Sequence, residues 1–137
     1  IRTPTASMMA SAVSAKPSVR AFLLEMQRKL ARENNVLMDG RDIGTVVLPN
    51  ATVKIYLTAS AKARAERRYK ELIEKGQEVT FQEVYDDMVK RDYNDMHRAI
   101  APLKQAQDAV VADTTGFSPE QSLELLLKIV REGLENR

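Results

Sequence analysis

Apolar residues in the first third of the chain recur at the spacing of an α-helix. Pro17 suits the first turn of a helix, and the residues after it that share one apolar face are Val19, Phe22, Leu23, Met26 and Leu30. The pattern therefore predicts a helix that begins at Pro17. Residues 10–15, directly before it, predict a further short helix.

Three short apolar runs have the length and the flanking residues of buried strands. They cover residues 36–38, 53–57 and 109–113, and the first is closed by Asp39 and Gly40. The sequence therefore predicts three strands.

Start and stop signals delimit three more helices. Ser60 is a typical N-cap and Gly76 a typical helix end, which predicts a helix over about residues 61–75. Thr80 and Glu83 form a capping-box pattern, so the next helix is predicted to run from there to about residue 99. The last helix begins after Ser118. The residues predicted to form its buried face are Leu123, Leu126, Leu127, Val130 and Leu134.

The predicted order of elements is typical of an α/β protein. Apolar strands that alternate with amphipathic helices favour a parallel sheet. Three strands are few for such a sheet, because sheets commonly contain about five or six. We therefore expect the sheet to be incomplete within this chain.

The composition narrows the functional classes. The chain has 137 residues, a hydrophobic fraction of 44% and a charged fraction of 29%, which fit one globular domain. A net charge of +2 and an aromatic content of 5% give no indication of nucleic-acid binding. With no cysteine and no apolar run long enough to cross a bilayer, we expect a cytoplasmic protein without a membrane partner. His97 is the only histidine, which argues against histidine-rich metal sites and Ser-His-Asp triads.

The run Asp39-Gly40-Arg41-Asp42 follows the first predicted strand. Ligands of open α/β sheets bind beyond the carboxyl ends of the strands. Glycine lets the backbone approach a ligand closely, and the planar guanidinium of Arg41 suits phosphate. The alternative is a turn in which Arg41 and Asp42 form local salt bridges, and composition alone does not decide between the two.

Arginines recur on two of the predicted helices. Arg91, Asp95 and Arg98 share one helical face, and the preceding helix carries Arg64, Arg67 and Arg68. The alternative is a solvated surface with ion pairs worth about 0.3–0.5 kcal/mol each. However, two arginines around one aspartate leave positive charge available for an anion, and phosphate is the ligand that suits all these segments.

Four motifs, in the same order, resemble those of bacterial cytidylate kinases, and the likeness covers essentially the whole chain. They are Met38-Asp39-Gly40-Arg41-Asp42-Ile43-Gly44-Thr45-Val46-Val47, Arg67-Arg68-Tyr69-Lys70-Glu71-Leu72, the segment from Lys90-Arg91-Asp92 to Arg98 with Ala101-Pro102-Leu103, and Asp113-Thr114-Thr115-Gly116. The resemblance implies a partial P-loop nucleoside-monophosphate-kinase fold, with three parallel strands, flanking helices and a helical lid.

The resemblance also implies an activity and its residues. The activity is phosphoryl transfer from ATP to CMP or dCMP with Mg²⁺. By similarity, the residues expected at CMP are Ser11, Arg20 and Asp42 for the cytosine, Arg41 and Arg98 for the phosphate, and Arg91 and Asp95 for the ribose. Arg67 and Arg68 resemble lid arginines that act with Arg41 and Arg98 in catalysis. Asp39 matches a carboxylate that holds a Mg²⁺-bound water.

One motif expected from the resemblance is absent. No glycine lies in a G-x-x-x-x-G-K-[ST] pattern, the loop that holds ATP phosphates. We therefore expect the chain to be the C-terminal portion of the enzyme, to need the missing N-terminal half, and to show no measurable kinase activity alone. The expected parts are the end of the monophosphate-binding insert (1–15), core (16–60), lid and following helix (61–99) and core (100–137).

Two other functions remain open at the level of the sequence. One is a kinase for another nucleoside monophosphate, such as UMP, which titration with CMP, dCMP and UMP would distinguish. The other is a non-catalytic domain that binds nucleotides or scaffolds a partner.

Overall fold

A computed structural model of the chain describes residues 4–14 and 16–135. The described elements are α1 (Pro4–Ser14), α2 (Pro17–Glu33), a π-helical turn (Ile43–Val47), β1 (Ile55–Thr58), α3 (Ala61–Glu74), α4 (Phe81–His97), β2 (Val110–Asp113) and α5 (Pro119–Glu135). The five predicted helices are confirmed. The short helix predicted over 10–15 begins earlier than expected, at Pro4, and residue 15 lies outside the described part.

The capping residues named from the sequence fix the helix ends. The hydroxyl of Ser60 accepts from the backbone N–H of Ala63 at the start of α3. Thr80 and Glu83 form the predicted capping box at the start of α4, each accepting from the other's backbone N–H. Gly76 follows α3 with φ of 72°, a left-handed conformation that glycine adopts without strain.

The sheet consists of two parallel strands in the described residues. β1 pairs with β2 in the register Ile55 to Val110 through Thr58 to Asp113. Both strands had been predicted, within two residues of their observed starts. A small parallel sheet with flanking helices confirms the α/β class.

The first predicted strand, over residues 36–38, is not found. Among the described residues this segment belongs to no helix or strand, and Leu37 is 97% exposed. A strand needs a neighbouring backbone for hydrogen bonds and apolar cover for its side chains. Neither is present here, so the apolar run alone was not sufficient to form a strand.

The apolar core lies mainly between α3 and α4. The buried residues Ala65, Leu72 and Val84 pack with half-buried neighbours, and Tyr69 meets Phe81 edge to face. This packing fixes α4 against α3, and α4 carries Arg91 and Asp95, with Arg98 directly after its last residue.

The buried face predicted for α5 is wrong in part. Ile129 is its buried residue, whereas Leu123, Leu127 and Leu134 are exposed. Helical spacing identified an apolar stripe, but only packing partners decide which of its residues are covered. In the described part of the chain, no helix is both long and apolar enough to span a membrane.

Candidate functional site

Asp42 lies between two arginines from distant parts of the chain. Arg20 of α2 donates from Nη2 to Oδ2 of Asp42. Nη2 of Arg98, at the end of α4, lies 3.8 Å from Oδ1 of the same carboxylate. Asp42 is only 8% exposed, so its charge is compensated by both partners rather than by bulk water.

Asp95 has a similar environment. Nε of Arg41 donates to its Oδ2 across 3.0 Å, and Nε of Arg91, one turn earlier on α4, lies 4.0 Å from the same oxygen. Asp95 is also 8% exposed. The i,i+4 pair expected on a solvated helix is therefore present, but the closer partner of Asp95 comes from the segment after α2.

These contacts join two short segments crosswise. Arg41 and Asp42 are neighbours in the sequence, and they pair with Asp95 and Arg98, which lie one turn apart at the end of α4. Turn-local salt bridges, the alternative considered for Arg41 and Asp42, are not what the structure shows. We call Arg20, Arg41, Asp42, Arg91, Asp95 and Arg98 the arginine–aspartate cluster.

The end of α4 is held in place by the segment that follows it. The N–H of Leu103 donates to the carbonyl of Asp95 at 2.7 Å, and Nε of Arg98 donates to the carbonyl of Ala101 at 2.7 Å. Ala101 has a positive φ of 48°, which is costly for a residue with a Cβ. The loop after α4 therefore orients Arg98 toward Asp42.

The π-helical turn directly after Asp42 was not anticipated from the sequence. The carbonyl of Asp42 accepts from the N–H groups of Val46 at 2.8 Å and Val47 at 3.2 Å. Arg28 of α2 donates to the carbonyls of the same two valines. Hydrophobic periodicity gives no signal for a single turn of this kind, and Arg28 resembles any surface arginine in the sequence.

The cluster has positive charge in excess. It contains four arginines and two aspartates, which gives a formal charge of +2 (four minus two). The side chains of Arg41 and Arg91 are 43% and 53% exposed, while both carboxylates are buried. Guanidinium groups that face solvent beside neutralised carboxylates can receive an anion, and phosphate suits their planar donors.

The arginines of α3 have their contacts elsewhere. Arg67 donates to the carbonyls of Thr114 and Phe117, after β2, and Arg68 pairs with Glu71 at 2.8 Å. Arg64 forms a two-pronged pair with Asp92 of α4 at 3.1 and 2.7 Å. The structure thus does not bring Arg67 and Arg68 into the cluster.

The two remaining predicted site residues are Ser11 and Asp39. Ser11 lies in α1, and its side chain is outside the described part of the structure. Asp39 is exposed, just before Gly40. No group of three potential metal ligands exists among the described residues. Mg²⁺ commonly binds through one or two carboxylates together with substrate phosphates, and one exposed carboxylate fits that kind of site.

The carboxylates with shifted pKa values also lie outside the cluster. Hydrogen bonds from Thr115 lower the pKa of Asp113 at the carboxyl end of β2. On α3, Lys75 and then Arg68 lower the pKa of Glu71 to about 2. Both shifts come from hydrogen bonds to the ionised carboxylate, and they report local structure.

Comparison with known proteins gives one consistent result. A family model described as cytidylate kinase matches residues 1–132. The cytidylate kinase of Thermosipho melanesiensis is 52% identical over 96% of this chain and 61% of its own length. The cytidylate kinase of Carboxydothermus hydrogenoformans is 52% identical over 95% of this chain and 59% of its own length. The cytidylate kinase of Caldicellulosiruptor bescii is 49% identical over 99% of this chain and 60% of its own length. The chain thus spans about three-fifths of the length of these relatives.

Proposed function

The chain belongs to the cytidylate kinase family, and we propose that it carries the CMP-binding and lid portion of an enzyme that transfers a phosphoryl group from ATP to CMP or dCMP. The part of the relatives that this chain does not span would supply the loop that holds the ATP phosphates. We propose that the reaction takes place in the cytoplasm.

The observation that carries the proposal is the arginine–aspartate cluster. Its excess positive charge is exposed at Arg41 and Arg91, while its carboxylates are held in fixed positions. A nucleoside monophosphate offers a phosphate for the arginines and hydroxyl and amine donors for the carboxylates. The cluster therefore offers donors for the acceptors of a nucleoside monophosphate and acceptors for its donors.

Within the cluster, each side chain receives a role that its chemistry permits. Arg41 and Arg98 hold the CMP phosphate, and Arg91 and Asp95 contact the ribose. Asp42 accepts from the exocyclic amine of cytosine, which uracil lacks, and Arg20 and Ser11 also contact the base. A site built around that hydrogen bond rejects UMP, because uracil presents an acceptor to the carboxylate, which would then keep only its arginine partners.

The proposed chemistry needs no general base. The second pKa of a phosphate ester is about 6, so the attacking oxygen is already ionised near neutral pH. The protein's contribution is to align the phosphate and to neutralise charge with arginines. Mg²⁺, where bound through Asp39 and a water, supplies further charge neutralisation at the ATP phosphates.

Residues 61–99 are proposed as the lid and its following helix, between core parts 16–60 and 100–137, with residues 1–15 ending the monophosphate-binding insert. The packing of α3 on α4 joins the proposed lid to the helix that carries Arg91 and Asp95. In the proposed closed state, Arg67 and Arg68 leave their present partners and reach the transferring phosphoryl group.

Direct nucleotide binding tests this proposal. Isothermal titration of the 137-residue chain with CMP is expected to show saturable binding. Arg41→Gln is expected to weaken binding on the order of tenfold, the size of one charge-assisted contact. Arg131→Gln on α5 removes the same charge far along the chain and is the matched control.

Turnover is tested in a chimera, in which residues 1–132 of this chain replace the matching part of the Thermosipho melanesiensis cytidylate kinase. The chimera is expected to phosphorylate CMP, and the 137-residue chain alone is expected not to. Loss of CMP binding in the chain together with an inactive chimera would reject the proposed function. Turnover by the chain alone would contradict its proposed dependence on the portion of the relatives that it does not span.

A further inference from the structure

Arg28 of α2 holds the far end of the π-helical turn that follows Asp42. Its Nη2 donates to the carbonyl of Val46 at 2.9 Å, and its Nε donates to the carbonyl of Val47 at 3.2 Å. Arg20 on the same helix pairs with the carboxylate of Asp42 at the near end. One helix therefore contacts both ends of the turn.

The turn fixes the backbone of Asp42. The carbonyl of Asp42 accepts from the N–H groups of Val46 and Val47 and, at 3.4 Å, from the hydroxyl of Thr45. A movement at the valine end is therefore transmitted to Asp42 through these hydrogen bonds. The direction of the Asp42 carboxylate depends on the turn as well as on Arg20 and Arg98.

The turn also needs an external partner to remain formed. π-helical turns are rare, and the last carbonyls of any helical segment lack partners within it. The rigid fork of Arg28 satisfies two adjacent carbonyls at once. A lysine keeps the positive charge, but its single ammonium cannot reproduce this geometry.

We infer that Arg28 is a positioning residue for base recognition: by holding the turn Ile43–Val47, it directs the Asp42 carboxylate toward the exocyclic amine of cytosine. The inference rests on the proposed function, in which Asp42 recognises that amine. Its consequence is specific. Loss of Arg28 lowers the preference for CMP over UMP. If Arg28 had a purely structural role, its loss would weaken the binding of both nucleotides by the same factor.

The test compares CMP with UMP in matched variants. Dissociation constants for both nucleotides are measured by isothermal titration with the 137-residue chain, its Arg28→Gln and Arg28→Lys variants, and the control Arg32→Gln. Arg32 is an exposed arginine on the same helix. The same preference is measured as a ratio of kcat/KM values in the chimera, so the test does not depend on the stability of the chain alone.

Arg28→Gln is expected to lower the CMP preference on the order of tenfold, with Arg28→Lys intermediate and Arg32→Gln unchanged. In an Asp42→Asn background, Arg28→Gln is expected to cause no further loss of preference, since its effect passes through Asp42. Backbone amide NMR signals of residues 43–47 are expected to shift in Arg28→Gln.

Two outcomes would overturn the inference. One is an unchanged CMP preference in Arg28→Gln, with the affinities for CMP and UMP lowered by the same factor. The other is that Arg28→Gln lowers the CMP preference in the Asp42→Asn background by as much as it does in the unsubstituted chain. Failure of the proposed function gives a different result, because the unsubstituted chain and the unsubstituted chimera would then show no preference for CMP.

Discussion

Arg41 and Asp95 are 54 positions apart in the sequence, yet Nε of one donates to Oδ2 of the other across 3.0 Å. Asp95 is buried at this contact, while Arg41 remains 43% exposed in its side chain. The pair therefore ties the segment after α2 to the end of α4 and leaves part of the guanidinium available. It is one of two ion pairs that join these segments among the described residues, and the other is Arg98 with Asp42.

Replacing the buried partner should destabilise the fold. Asp95→Asn keeps the shape of the side chain but removes the charge that pairs with Arg41 and Arg91. We expect the free energy of unfolding in urea to fall by about 1.5–3 kcal/mol, the range for hydrogen bonds to charged groups. Asp87→Asn, at an exposed position on the same helix, should change it by less than about 0.5 kcal/mol. Equal losses in the two variants would contradict a structural role for the pair.

Replacing the other buried carboxylate should alter base selectivity. In Asp42→Asn the amide can donate as well as accept a hydrogen bond. It can therefore pair with the carbonyl of uracil as well as with the amine of cytosine. We expect the preference for CMP over UMP to fall on the order of tenfold or more, measured as the ratio of kcat/KM values in the chimera. If the unsubstituted chimera already phosphorylates UMP as well as CMP, the role assigned to Asp42 is wrong.

Arg98→Lys separates catalysis from binding. Arg98 uses Nε for the carbonyl of Ala101 while Nη2 faces Asp42, and a lysine cannot occupy both directions. We expect kcat of the chimera to fall on the order of a hundredfold, since charge stabilisation at the transferring group depends on this geometry. The dissociation constant for CMP should change much less. A parallel loss of kcat and affinity would restrict Arg98 to ground-state binding.

The stability contributed by Glu71 should depend on pH. Lys75 and Arg68 hold the folded pKa of Glu71 at about 2, below its ordinary value of 4.5. The stabilisation is therefore fully present above about pH 4.5 and is lost as the pH falls toward 2. Glu71→Gln should be less stable than the unsubstituted chain at pH 6, and the difference should disappear near pH 2.

Urea unfolding across this pH range measures the effect, with Glu66→Gln as the control for removing a negative charge from α3. The same pH dependence in both variants would show that net charge, and not the contacts of Glu71, is responsible. A carboxyl NMR titration of Glu71 in a Lys75→Met variant should give a pKa closer to 4.5.

Local signals in the sequence were sufficient to predict most elements. Helices begin after Ser60 and Thr80 and end before Gly76, as expected, because capping and left-handed termination depend on a few neighbouring residues. Residues 36–38 failed as a strand because a strand is completed by a partner elsewhere in the chain. The exposed leucines of α5 show the same limit for burial.

The sequence by itself determined the helices, the two paired strands, the acidic and basic residues of the cluster and the family to which the chain belongs. The tertiary structure alone decided which of those charges meet: Asp42 with Arg20 and Arg98, and Asp95 with Arg41. It also decided that Arg28 supports a π-helical turn beside them. Helix caps act over three or four residues, so they can be read from the sequence. Ion pairs and sheet pairing join segments that are distant in the sequence, and the sequence does not show which of these segments are close in space.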